Sequence, residues 1–316
     1  MRSVIVGFGG ALPKRCVSNF DLPADLDTSD EWISQRTGIK QRYLISEGES
    51  TGTLAASAAR DALSFANIAA PDVDLIVVGT TTGDYTFPAT ACLVQKELGI
   101  VENCAAFDVS AACSGFIYAL DVADSFLRSG KSRCALVIGA DCFSKILDWK
   151  DRSSCVLFGD GAGAVVLQAQ DTDKGVEYCK ICSDGTYSDY LVTTGGVSTT
   201  GSAGVVKMQG RDVFKFAVEK FKESLLTLLK ENNLTLADID LIVPHQANIR
   251  IIQSLINSLH IDDNKVLVTI DKHSNTSAAT IPLALNEVKN EISNKKNVVL
   301  LSMGAGFTWG SALIKF

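Results

Sequence analysis

The sequence predicts an α/β fold assembled from two related halves, and two observations carry that prediction. Asp72-Val-Asp-Leu-Ile-Val77 recurs almost letter for letter as Asp238-Ile-Asp-Leu-Ile-Val243, an offset of 166 residues. Further along, a strand-like run ending at Asp108 has a counterpart ending at Asp271, and the buried run Ala135–Ile138 matches Val298–Leu301, both at an offset of 163. Any α/β chain alternates helix and strand, but three matches in one order point to an internal duplication.

Taken in order, the run Val4-Ile-Val-Gly-Phe-Gly-Gly reads as a first strand entering a glycine turn. Thr53–Ala66 is an amphipathic helix preceding the strand that ends at Val77. Ser114–Arg128 is helical and joins the strand ending at Asp108 to Ala135–Ile138. In the second half, Val213–Glu231 precedes the strand ending at Val243, and Thr280–Ile292 joins the strand ending at Asp271 to Val298–Leu301. Strand, helix, strand in that order favours largely parallel sheets with helical crossovers.

Composition narrows the function. Of 316 residues, 47% are hydrophobic and 21% charged, the usual balance of a globular protein, which excludes disorder and a fibrous fold. A net charge of −7 argues against a general nucleic-acid binder. No stretch approaches the roughly 18 apolar residues of a membrane span, and the N-terminus lacks the apolar region and cleavage site of a signal peptide. Nine cysteines, an odd number without framework spacing, fit a reducing compartment. Cys179 and Cys182 form one C-x-x-C with no second pair and no nearby His, which reads as a half-buried strand rather than a metal or redox site. A cytoplasmic protein is expected.

In α/β sheets, ligands bind beyond the carboxyl ends of the strands. The residues with chemical potential fall there. After Asp108 comes Ser-Ala-Ala-Cys113-Ser-Gly-Phe; after Val243, Pro-His245-Gln-Ala-Asn248; after Asp271, Lys-His-Ser-Asn275-Thr; after Leu301, Ser-Met-Gly304-Ala-Gly306. At an offset near 163, Asn275 and Cys113 occupy almost twin places, so symmetric packing would gather the four segments. Cys113 opens a helix, whose free N–H groups and dipole favour a thiolate nucleophile. Taken singly, Cys113 could be a small buried residue, His245 a structural hydrogen-bonder, Asn275 a turn residue, and Gly304–Gly306 a tight turn.

Together these residues resemble a family. Ala-Ala-Cys113-Ser-Gly-Phe, Val-Pro-His245-Gln-Ala-Asn and His-Ser-Asn275-Thr-Ser-Ala-Ala are similar to motifs of the β-ketoacyl-[acyl-carrier-protein] synthase III family. So are Asp30-Glu-Trp-Ile-Ser-Gln-Arg-Thr-Gly-Ile39, Phe158-Gly-Asp-Gly-Ala-Gly163 and Gly304-Ala-Gly-Phe-Thr-Trp-Gly310. The resemblance covers essentially the whole chain. It implies a thiolase-like fold, two duplicated halves in five αβαβα layers, with residues 1–170 carrying the cysteine and 171–316 the histidine and asparagine.

The resemblance also implies an acyltransferase that starts type II fatty acid synthesis as a homodimer. A short acyl group, acetyl first among the candidates, passes from coenzyme A to Cys113 and condenses with malonyl-[acyl-carrier protein], releasing carbon dioxide. His245 and Asn275 would hold the enolate oxyanion, and the N–H groups of Cys113 and Ala305 the acyl oxyanion. Trp32 and Arg152 would sandwich the adenine, with Arg36 near the phosphates. Gly210, Phe214 and Asn248 would line the pantetheine tunnel, and Phe87 would cap the partner's acyl pocket. Coenzyme A thioester is a substrate; no cofactor or metal is expected.

Lys207, Arg211, Lys215, Lys220 and Lys222 cluster in one stretch and Arg250 begins another helix. They are expected to form the docking face for the acidic carrier protein, with Lys215 and Arg250 nearest the tunnel. Two departures stand out: Asn257-Ser-Leu-His260 lacks basic residues that many relatives carry, and Ala305 stands where many have glycine. Other readings are a thiolase-fold condensing enzyme of secondary metabolism, a papain-like hydrolase with the same Cys, His, Asn order, and a non-catalytic acyl-thioester binder. Primer preference among acetyl, propionyl and branched acyl groups is not legible.

Overall fold

The computed structural model describes residues 1–316. Strands β1 (Arg2–Ala11) and β2 (Arg15–Ser18) precede helix α1 (Asp30–Thr37) and β3 (Gln41–Leu44). Then come α2 (Thr51–Ala66), β4 (Leu75–Gly79), α3 (Thr90–Glu97), β5 (Ala105–Val109), α4 (Gly115–Arg128), β6 (Cys134–Cys142), α5 (Arg152–Cys155) and β7 (Asp160–Gln170). The chain continues with β8 (Gly175–Ser183), β9 (Leu191–Thr193), β10 (Val206–Met208), α6 (Gly210–Glu231), β11 (Leu241–Pro244) and α7 (Ile249–Leu259). It closes with α8 (Ile270–His273), α9 (Thr280–Glu287), β12 (Asn297–Gly304) and β13 (Thr308–Lys315).

The two main sheets have matching orders, β1-β7-β6-β4-β5 and β8-β13-β12-β11. They are mixed rather than largely parallel. β6 runs parallel to β4, and β12 to β11, but β7 and β13 return antiparallel to β6 and β12. Only three residues join β12 to β13, and a parallel crossover needs a dozen or more.

Strand alternation builds the layers. Leu75 and Val77 face a central core with α4 and α9, whereas Ile76 and Val78 face α2 and α3 outside. In the second sheet Val243, Val298 and Leu300 point to the same centre, and Ile242, Val299 and Leu301 to α6 and α7. The result is five layers, αβαβα. No helix is long and apolar enough to cross a membrane.

One expected strand is missing. The counterpart of β5, expected to end at Asp271, is reduced to a single parallel bridge between Ile242 and Val266, and Ile270–His273 is helical. The buried Gln246 side chain replaces the ladder. Its amide nitrogen donates to the carbonyls of Pro244 at 2.7 Å and Leu267 at 3.1 Å, and its oxygen accepts from Thr269 N at 2.9 Å. With those groups satisfied, the segment needs no further strand pairing. Helix α9 likewise ends at Glu287, short of the expected Ile292. Cys179 and Cys182 both lie on β8, three residues apart and therefore on opposite faces, so they do not form a joint site.

Candidate active site

Cys113 lies in the tight turn Ala112–Ser114 between β5 and α4, with Ala112 held in the left-handed region at φ +46°. Strain of this kind costs on the order of 1–3 kcal/mol and persists only where surrounding contacts enforce it. The enforcement comes from the second half. Ser302 Oγ donates to the Cys113 carbonyl at 2.8 Å, and Thr308 Oγ1 donates to the Ala111 carbonyl at 3.0 Å. Gly304 lies against the Cys113 amide, and no side chain of the protein takes that N–H.

Burial pushes the Cys113 thiol up to about 12, against smaller opposing pulls from the Ser277 hydroxyl and its own amide. Dehydration therefore works against the pull that the helix N-terminus exerts on the thiolate.

His245 follows β11, anchored by its N–H to the Leu301 carbonyl at 2.7 Å. Its Nδ1 is 2.6 Å from Thr280 Oγ1, which leaves Nε2 toward the cavity. Burial pulls the ring down to about 3, so it is neutral across the physiological range. Asn275 is fixed by its N–H to the Leu157 carbonyl at 3.0 Å, and its Oδ1 accepts from Ser277 N at 2.9 Å. That bond assigns the oxygen and leaves Nδ2 as a free donor.

Cys113, His245, Asn275 and Gly304 line one cavity, together with Gly210, Phe214 and Asn248. A second cavity meets the first at Cys113 and is walled by Phe143, Ile146, Phe158 and Val206, with Ala305 at its edge. Phe143 and Phe158 stack at 4.7 Å. A cavity that gathers Cys113, His245 and the free Asn275 amide suits an acyl thioester and an enolate.

The sequence of this chain aligns end to end with curated β-ketoacyl-[acyl-carrier-protein] synthase III proteins. That of Rhodospirillum centenum is 52% identical, covering 100% of this chain and 99% of its own, and that of Rhizobium meliloti is 51% identical, covering 100% of both. The chain belongs to the β-ketoacyl-[acyl-carrier-protein] synthase III family. Family models described as 3-oxoacyl-[acyl-carrier-protein] synthase III and its C-terminal part match residues 107–185 and 229–316. The crystal structure of the synthase III from Aquifex aeolicus superposes with a TM-score of 0.94 at 44% identity, covering 99% of this chain and 100% of that one. The thiolase-like fold and the acyltransferase class follow.

Trp32, Arg36 and Arg152, expected to hold the coenzyme, lie together in one group. Arg152 lies directly over the Trp32 ring at 5.2 Å and pairs with Asp27 at 2.8 Å, and Arg36 covers the same ring at 4.9 Å. Trp32 and Arg152 are thus neighbours that attract each other directly. Lys220 departs from the expected basic cluster. It points away from Arg211, Lys215 and Lys222 on α6 and is held by Glu223 at 2.6 Å and the Trp309 ring at 4.8 Å. Lys215 and Arg250 are exposed, and the Arg250 guanidinium lies 5.8 Å from the Phe214 ring at the cavity wall.

Phe87 is 84% exposed and lines neither cavity of its own chain. Ala305 is outside the left-handed region, which Gly306 occupies at φ +129°, so alanine is tolerated. Sequence reasoning missed Asp141, Ser302, Thr308 and Thr280. Buried Asp141 accepts from Thr81 N at 2.9 Å, Thr82 Oγ1 at 2.7 Å and Ala278 N at 3.3 Å, tying the turn after β4 to the turn after Asn275. No spacing rule singles out one Asp, Ser or Thr among many.

Proposed function

We propose that Cys113, His245 and Asn275 divide between them the chemistry of the initiating condensation of fatty acid synthesis. The chain condenses a short-chain acyl-coenzyme A with malonyl-[acyl-carrier protein], giving 3-oxoacyl-[acyl-carrier protein], coenzyme A and carbon dioxide. In the first half-reaction the Cys113 sulfur attacks the acyl thioester carbon. The N–H groups of Cys113 and Ala305 receive the oxyanion. Collapse expels the coenzyme A sulfur, which leaves with the proton that Cys113 gave up.

In the second half-reaction the malonyl C–C bond to the carboxylate breaks, and its electron pair becomes an enolate. His245 Nε2–H and Asn275 Nδ2–H stabilise that oxyanion without transferring a proton, which suits a ring that burial keeps neutral. The enolate carbon attacks the Cys113 thioester, and the thiolate set free takes up one proton from solvent. Every bond is accounted for without a metal or further cofactor.

Trp32 and Arg152 receive the adenine, Arg36 the phosphates, and Gly210, Phe214 and Asn248 the pantetheine arm. Lys215 and Arg250 dock the carrier protein. Exposed Phe87 caps the acyl pocket of a second copy, making the enzyme a homodimer, and the halves divide near residue 170. The working compartment is the cytoplasm.

The observation that carries this reading is the convergence of an open Cys113 amide, a bare His245 Nε2 and a bare Asn275 Nδ2 on one cavity. Labelled acetyl-coenzyme A should leave its label on Cys113, and malonyl-[acyl-carrier protein] should then release it as 3-oxoacyl product. Absence of an acyl-Cys113 species overturns the assignment.

A further inference from the structure

We propose that Thr280 is a positioning residue that sets the tautomer of His245, donating its hydroxyl proton to Nδ1 so that Nε2 carries the ring proton into the cavity. The inference rests on His245 acting as an oxyanion donor, as described above.

A neutral imidazole has one N–H, and its location is decided by the partner of the other nitrogen. That partner is Thr280 Oγ1, 2.6 Å from Nδ1, with both side chains buried at 2% and 3% exposure. Thr280 Oγ1 has one other neighbour, the Ser277 carbonyl at 3.1 Å. A hydroxyl owns a single proton, so two arrangements exist. If Thr280 donates to Ser277, His245 must donate from Nδ1, and Nε2 becomes a bare acceptor that repels an enolate oxygen. If Thr280 donates to Nδ1, Nε2–H faces the cavity.

Two observations select the second arrangement. The Ser277 carbonyl is already served by the backbone N–H of Thr280, so the hydroxyl is not needed there. The contact to Nδ1 is also the shorter by half an ångström. The place itself is special to the second half. The strand-end residue matching His245 in the first half is Gly79, which packs directly on Gly115, the residue matching Thr280. Where the first half closes on two glycines, the second carries a hydrogen-bonded pair.

The ring nitrogens of the wild-type enzyme can be read by ¹⁵N NMR, with Nε2 protonated and Nδ1 accepting as the expected signature. A protonated Nδ1 overturns the proposal without any variant. Thr280→Val should leave acetyl transfer to Cys113 within about twofold while lowering the condensation kcat roughly 10–100-fold, and Thr280→Ser should restore most of it. Full condensation in a folded Thr280→Val enzyme, or no recovery in Thr280→Ser, counts against Thr280. His245→Ala separates the two layers: if condensation survives it, the donor reading of His245 has failed; if only Thr280→Val is silent, the tautomer assignment alone has failed.

Discussion

A Cβ placed on Gly304 would stand 2.8 Å from the backbone nitrogen of Cys113. The amide proposed to hold the acyl oxyanion is therefore open only because that position has no side chain. Gly304→Ala should slow acylation of Cys113 on the order of 10²–10³-fold, the loss typical of one oxyanion donor. Pre-steady-state labelling with acetyl-coenzyme A measures it, and an unchanged acylation rate would remove the Cys113 N–H from the mechanism.

The buried Cys113 thiol, pushed up to about 12, should alkylate slowly at neutral pH. Its rate with iodoacetamide should climb about tenfold per pH unit between pH 7 and 9, because only the thiolate reacts. A plateau below pH 8 would show that the helix N-terminus wins over dehydration after all.

His245, pulled down to about 3, stays neutral between pH 5 and 8. The condensation rate should show no inflection near 6.5 that disappears in His245→Asn. Stability carries the complementary sign. The unfolded ring binds a proton below roughly 6.5 and the folded ring only near 3, so the stability tied to neutral His245 is complete above that window and lost as pH falls through it. Urea unfolding at pH 7 and pH 4.5 should show a smaller acid loss in His245→Asn than in the wild type.

Arg250 and Lys220 test the docking face together. Arg250→Glu should raise the KM for malonyl-[acyl-carrier protein] about tenfold, with the difference shrinking as salt screens the exposed charges. Lys220→Glu should leave that KM unchanged, since Lys220 is engaged with Glu223 and Trp309. Equal effects from both would disperse the proposed surface over the whole of α6.

Gln246→Ala should cost about 3 kcal/mol of stability, because it strips partners from the Leu267 carbonyl and Thr269 N–H at once, each worth roughly 1–3 kcal/mol when left buried and unpaired. Denaturant unfolding reads the loss directly. A cost below 1 kcal/mol would mean that Val266–Thr269 finds its own pairing.

These cases show which parts of the molecule a sequence can announce. The Asp72–Val77 and Asp238–Val243 repeat marked two strands correctly, because a strand's burial pattern is written in its own residues. Cys113, His245 and Asn275 were visible because each follows such a strand. One further reading failed. Asp271 does not end a strand because a side chain, Gln246, takes over backbone pairing. That effect has no local signature. The twin relation was also displaced: the turn matching Ala112–Ser114 is Ser277–Ala279, so Ala278 rather than Asn275 stands opposite Cys113, and Ala112 and Ser277 share the same left-handed backbone.

The amides of Cys113 and Ala278 have had opposite fates. One faces Gly304 with no side chain bonded to it; the other is claimed by the Asp141 carboxylate, which closes off the matching place in the other half. A cysteine grafted at position 278 would inherit a spent donor and a neighbouring anion, so this architecture cannot be doubled back into two working centres. Having lost its symmetry at that one pair of positions, the chain keeps a single reaction chamber and uses its abandoned twin as the footing beneath it.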